Sequence, residues 1–134
     1  MQLTQVAATQ QQIAELMEYP KNTPIVMTNI IKFKSVTENG NETGQEAYMR
    51  YYKNVQPFIA TAEAKLIWKG TVASTVIGDS NDQPDMILIV EYPSVDHFLQ
   101  MAMNPEYQKI AVDRTMALES VSYTHLTLPT ILRV

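Results

Sequence analysis

The chain has 134 residues, room for one domain with a proper core, since a domain of this size buries about two-thirds of the surface its unfolded form would expose. A formal charge of −4 with 18% charged and 46% hydrophobic residues fits a globular protein and sets nucleic acid aside, because a net negative charge argues against a surface that tracks phosphates. The absence of cysteine excludes disulfides, thiolate zinc sites and cysteine nucleophiles and suits a reducing cytoplasm, and two histidines argue against a protein-only metal site.

The first ten residues, Met-Gln-Leu-Thr-Gln-Val-Ala-Ala-Thr-Gln, have neither a basic n-region nor an apolar h-region, and no run reaches membrane-spanning length. The expected location is therefore cytoplasmic, with no membrane partner. Leu3, Val6, Ala7, Ile13, Ala14 and Met17 fall at helical spacing, which predicts an amphipathic helix over residues 3–18, stopped by Pro20 and Pro24. A first strand follows over Val26 to Phe33. The stretch Ser35 to Gly44, holding Asn39-Gly40, reads as a solvated loop. Glu46 to Ala62 reads as a helix whose stripe of Ala47, Tyr48, Tyr51, Tyr52, Val55, Phe58, Ile59 and Ala62 must face a sheet, with a kink expected at Pro57.

A long second strand is predicted from Lys65 to Ile77 with a bulge at Gly70, and the cluster Gly78 to Pro84 turns it into a third strand, Met86 to Tyr92. Ser94 caps the next helix, whose buried face is Val95, Phe98, Leu99 and Ala102. Asn104 with Pro105 at a first helical position restarts it, and Tyr107, Ile110, Ala111, Arg114 and Leu118 then share one face. This order, with a final strand, is α+β: a ferredoxin-like split βαβ sandwich with an extra N-terminal helix and its helices on one side. The third strand is apolar on both faces, Met86, Leu88 and Val90 against Ile87 and Ile89, so its second face needs a cover. A second copy packed sheet to sheet covers it best, which predicts a homodimer.

Several short blocks carry a family resemblance: Val26 to Phe33, Ala47-Tyr48-x-Arg50-Tyr51, Trp68-x-Gly70, Glu91-Tyr92-Pro93-Ser94, Asn104-Pro105-Glu106-Tyr107-Gln108, and Arg114-Thr115-x-Ala117-Leu118. Over residues 3–120 the chain resembles the domain of unknown function numbered thirteen-thirty, of the dimeric α/β-barrel superfamily. The resemblance implies that fold. It leaves the activity open, because the superfamily includes cofactor-free quinol oxygenases, muconolactone isomerases, haem-degrading enzymes and chlorite dismutases. Where the family pattern has histidine before Arg114-Thr115, this chain has Asp113.

Val121 to Thr130 departs from the family and resembles the translation of a transposase adapter used in sequencing libraries. On that reading the domain is residues 1–120, residues 121–134 are a non-native tail, and His125 carries no function. The alternative is a genuine fourth strand, because Val121, Tyr123 and His125 alternate with Ser122, Thr124 and Leu126.

Candidate site residues are polar or aromatic groups set among aliphatic ones. Asn29 shares a strand face with Met27, Ile31 and Phe33 and either orients a ligand carbonyl or hydroxyl or bonds neighbouring backbone. Trp68 is a pocket wall or plain core, and Tyr48 lies on the aromatic helix stripe. Arg114 binds a carboxylate ligand or pairs with Glu91, Asp113 or Glu119. For proton transfer the candidates are Glu91, otherwise a salt-bridge partner, and His97, otherwise an exposed first-turn residue. Asn29, Trp68 and Arg114 are expected to meet in one cavity.

No nucleophile triad, phosphate-binding glycine loop or metal spacing is present in the sequence, and no cofactor is expected. Two functional readings follow. One is a cofactor-free oxygenase-like or isomerase-like enzyme acting on a small oxygenated or anionic substrate; the other is a noncatalytic ligand-binding or stress-related module using the same pocket.

Overall fold

The computed structural model of the protein describes residues 8–38 and 40–126. Helix α1 (Gln10–Met17) opens on a capping box in which Thr9 Oγ1 accepts from the Gln12 amide at 3.1 Å and Gln12 Oε1 accepts from the Thr9 amide at 3.0 Å. That box, invisible to apolar periodicity, starts α1 at Gln10; residues 3–7 of the expected helix lie outside the described residues. Next come β1 (Ile25–Phe33), α2 (Gly44–Thr61), β2 (Lys65–Thr71), β3 (Met86–Tyr92), α3 (Val95–Ala102), α4 (Pro105–Ala117) and β4 (Leu118–Leu126). Each helix start has a side-chain cap: Thr43 for α2, Ser94 for α3, and Asn104 followed by Pro105 for α4. Helix α2 runs on through Pro57.

The sheet has four strands in the order β2-β3-β1-β4, every neighbouring pair antiparallel. With α2, α3 and α4 on one side, this is the ferredoxin-like α+β fold. Odd-numbered residues of β1 and even-numbered residues of β3 face the helices. Ile25, Met27, Val90 and Tyr92 build one buried cluster with Val95, Leu99 and Met101. Ile31 and Leu88 build a second with Ala47, Tyr48, Tyr51, Val55, Ala117 and Leu118. Among the described residues no helix is long and apolar enough to cross a membrane.

Two strand details differ from the sequence expectation. Strand β2 ends at Thr71, opposite Met86, with one further backbone bond from the Val72 amide to the Asp85 carbonyl at 2.9 Å; Val76 and Ile77, expected inside the strand, are over nine-tenths exposed at 91% and 93%. The bulge falls at Ile67 rather than Gly70: Leu66 pairs with Val90, and Trp68, two residues on, pairs with the next residue back, Ile89. An extra residue reverses every side chain beyond it. Trp68 is thereby sent to the sheet face away from the helices, where its ring lies over Gly70 and fills the space a Cβ would need. Lys69 turns inward and sets its ammonium 4.6 Å from the centroid of the Tyr52 ring.

The segment between β1 and α2 is tied down by Arg50. Its guanidinium donates to both carboxylate oxygens of Glu42, at 2.8 and 2.7 Å, and to both of Asp113 on α4, at 3.1 and 3.0 Å. The hydrogen bonds from Arg50 hold the Glu42 carboxyl below its ordinary pKa, and the two carboxylates push the Arg50 pKa up. Asp113 therefore closes a surface ion-pair fork.

Candidate functional site

The inner face of β1 reads Ile25, Met27, Asn29, Ile31, Phe33, with Asn29 as its polar member. Met27 belongs to one buried cluster and Ile31 to the other, so Asn29 stands at the seam between them. A cavity of about 820 Å³ opens there. Its floor is Met27 and Asn29 of β1 with Leu88 and Val90 of β3. Tyr48, Tyr51, Tyr52 and Val55 of α2 form one wall, and Tyr107, Ala111 and Arg114 of α4 another. Phe98 and Leu99 of α3 close one end, and Gln12, Ile13 and Leu16 of α1 overhang it. No residue of α1 is itself buried, so that helix rests on the rim.

The walls are an aromatic array. Tyr48 is 3% exposed and lies between Phe33 and Tyr51, with ring centroids 5.4 and 5.5 Å away. Tyr51 and Tyr107 join hydroxyl to hydroxyl at 2.8 Å across the gap between α2 and α4, and Phe58 stands edge-on to Tyr107 at 5.9 Å. Tyr92 and Phe98 repeat the edge-on arrangement at 5.1 Å. Helical spacing places Tyr48, Tyr51, Tyr52 and Val55 on one face and Tyr107, Ala111 and Arg114 on another, which is how the sequence signalled these walls. It gave no sign that Tyr51 and Tyr107 would meet, because that contact depends on how two helices cross.

Asn29 is 8% exposed, and its side-chain oxygen is buried with no hydrogen-bond partner. A buried acceptor left unmade costs about 1–3 kcal/mol. Arg114 reaches the same cavity from α4, half-buried.

Of the residues singled out in the sequence, the structure brings together Asn29, Tyr48 and Arg114. It separates Trp68, 53% exposed on the opposite face of the sheet because of the bulge at Ile67. Glu91 also points away from the cavity: it pairs in register with Val26 and Lys65, in phase with Ile87 and Ile89, while Val90 and Tyr92 face the helices. His97 sits in the first turn of α3, where Nδ1 meets Ser94 Oγ at 2.7 Å and Nε2 meets Glu63 Oε2 at 3.2 Å. Those contacts tie the end of α2 to the start of α3, outside the cavity lining. The expected pairing of a cavity with Glu91 or His97 as its proton carrier therefore does not form within this chain.

The family described as Domain of unknown function (DUF1330) matches residues 35–124. The chain belongs to this family. The match runs past residue 120 into β4, so part of the adapter-like segment falls within the family region. No curated protein matches the chain by sequence. Among solved structures, a protein of unknown function from Rhodopseudomonas palustris is 25% identical, with a TM-score of 0.88 over 96% of this chain and 99% of that one. More distant likenesses, of fold alone, include SnoaB, a cofactor-independent oxygenase from Streptomyces nogalater, at 10% identity and a TM-score of 0.53 over 84% of this chain and 99% of the other. A dimeric protein of unknown function and ferredoxin-like fold from Bacteroides fragilis matches at 11% identity and a TM-score of 0.53 over 78% of this chain and 96% of that one.

Proposed function

We propose that the protein binds a small organic molecule in the cavity between sheet and helices, with Asn29, Tyr48 and Arg114 among the groups that meet it. The observation that carries this reading is the cavity itself, about 820 Å³ in size, set between two packed clusters and walled by tyrosines. Folded interiors are close-packed, and pockets of roughly 300–1,000 Å³ with apolar walls and a few polar groups are the usual form of a ligand site. Binding is favoured over turnover as the primary role, because Glu91 and His97 lie outside the cavity. The cofactor-free oxygenase or isomerase reading has the fold shared with SnoaB behind it. Within the lining, the groups that could move a proton are tyrosine hydroxyls such as the paired Tyr51 and Tyr107, and the Glu15 carboxylate on α1.

The test is occupancy. Ala111→Trp places an indole in the cavity from α4, and a fluorescent naphthalene probe that binds the parent saturably is expected to bind this variant at least tenfold more weakly while the melting temperature stays close to the parent's. Equal binding by both proteins, or no saturable binding by the parent, overturns the reading.

The same reading takes the protein as a homodimer joined through the outer sheet face. That face presents Thr28 and Ile30 of β1, Ile87 and Ile89 of β3, and Trp68 of β2, and α2, α3 and α4 pack on the other side. The neighbour from Bacteroides fragilis is dimeric, which supports it. Burial of a tryptophan and several isoleucines from each copy would contribute about 25 cal/mol for every Å² of apolar surface removed from water. Light scattering is expected to report twice the 15.2 kDa chain mass for the parent and a single chain mass for Trp68→Glu. A monomeric parent would remove this assembly and leave the cavity untouched.

A further inference from the structure

We infer that the ligand of the cavity is a neutral aromatic molecule carrying a hydroxyl group, which donates its hydrogen bond to the side-chain oxygen of Asn29. The inference rests on the cavity being a ligand site and names the class of molecule it takes. Asn29 is more than nine-tenths buried, its oxygen has no partner, and it lines the cavity floor where the two core clusters part. An orphaned buried acceptor selects for a donor, since only a ligand with O–H or N–H restores the hydrogen bond lost to water. A carboxylate has no proton to give at neutral pH and would set its charge against that oxygen.

The rest of the lining chooses the ligand's body. Tyr51 and Tyr107 already engage each other at 2.8 Å, so what they offer an incoming molecule is chiefly ring surface. Tyr48, Tyr52 and Phe98 add further rings around the same space. Aromatic walls hold a planar ring by stacked or edge-on contact, and the single orphan acceptor in the floor fixes which edge of that ring points at the sheet. The proposed ligand is thus a hydroxylated ring anchored from below, rather than the anion expected from Arg114.

The experiment compares three probes of nearly equal size by calorimetric or fluorescence titration: naphthalene, 1-naphthol and 1-methoxynaphthalene. The parent is expected to bind 1-naphthol about tenfold more tightly than the other two, the worth of one neutral hydrogen bond. In Asn29→Leu, close in size but without the acceptor, that preference should vanish while naphthalene binds at least as well as before. If all three probes bind the parent equally, the cavity reading stands and this inference falls. If 1-methoxynaphthalene matches 1-naphthol and both exceed naphthalene, the amide presents its NH₂ group to the ligand and the assigned donor is overturned. If none binds, the cavity reading fails and takes this inference with it. The parent's probe ranking decides these outcomes even should Asn29→Leu not fold.

Discussion

Removal of every residue after Ser120 is expected to abolish cooperative folding. Strand β4 pairs with β1 almost end to end, from Val26 opposite Leu126 to Lys32 opposite Ser120, and the cut leaves only its first three residues. Strand β1 is central to the sheet, and its inner residues Ile25 and Ile31, both 0% exposed, anchor the two buried clusters. Without β4 one whole edge of β1 loses its ladder. Each lost backbone hydrogen bond removes about 1 kcal/mol net, so a run of them takes several kcal/mol from a stability of roughly 5–15 kcal/mol for a domain. Circular dichroism of the truncated chain should show a broad, low transition or none. A melt that superimposes on the parent's would mean that residues 121–126 contribute nothing, as the adapter-like reading of the segment expected.

That segment shows what alternation alone can specify. Val121 to Leu126 reads as strand whatever its origin, because period-two side chains and a free edge on β1 are enough to seat it. The rest of the fold was legible for similar reasons. Helix stripes at 3.6-residue spacing and the caps Ser94 and Asn104 each state a local preference that the tertiary structure keeps. The site was legible in part. Asn29 stood out as an amide in an apolar strand, and Tyr48 and Arg114 followed from helix phase, since each needs only its own element to be placed. Trp68 was misplaced because the inserted residue of the bulge, Ile67, is an ordinary strand former that nothing marks out. Gly70, the glycine expected to mark the bulge, is needed instead for the tryptophan ring above it. The proton carriers were misplaced differently: the face of Glu91 follows from strand phase, yet which face the helices cover is settled only once the sheet is assembled.

Gly44→Ala is expected to cost about 3 kcal/mol or more, at the upper end of what overpacking does, and to lower the melting temperature by roughly 10 °C. Gly44 is the first residue of α2 and is buried. Its amide donates to the Lys34 carbonyl at 3.0 Å, and the Lys34 amide donates in turn to the Ala117 carbonyl at 2.8 Å. The end of β1, the end of α4 and the start of α2 meet at this glycine. A Cβ there would be driven into the carbonyl oxygens of Lys34 and Ala117 and the amide nitrogen of Lys34. All three are backbone atoms, so no side chain can swing aside; relief requires moving a strand or a helix end and breaking the hydrogen bonds that join them. Gly40→Ala is the control. Gly40 has a φ of +72° but open space around the position of a Cβ, so its cost is that of the left-handed backbone alone, about 1 kcal/mol. Equal melting temperatures for the two variants would show that the three elements do not close on Gly44. A large gap between them would locate the point that sets the height of α2, and with it the tyrosine wall over Asn29.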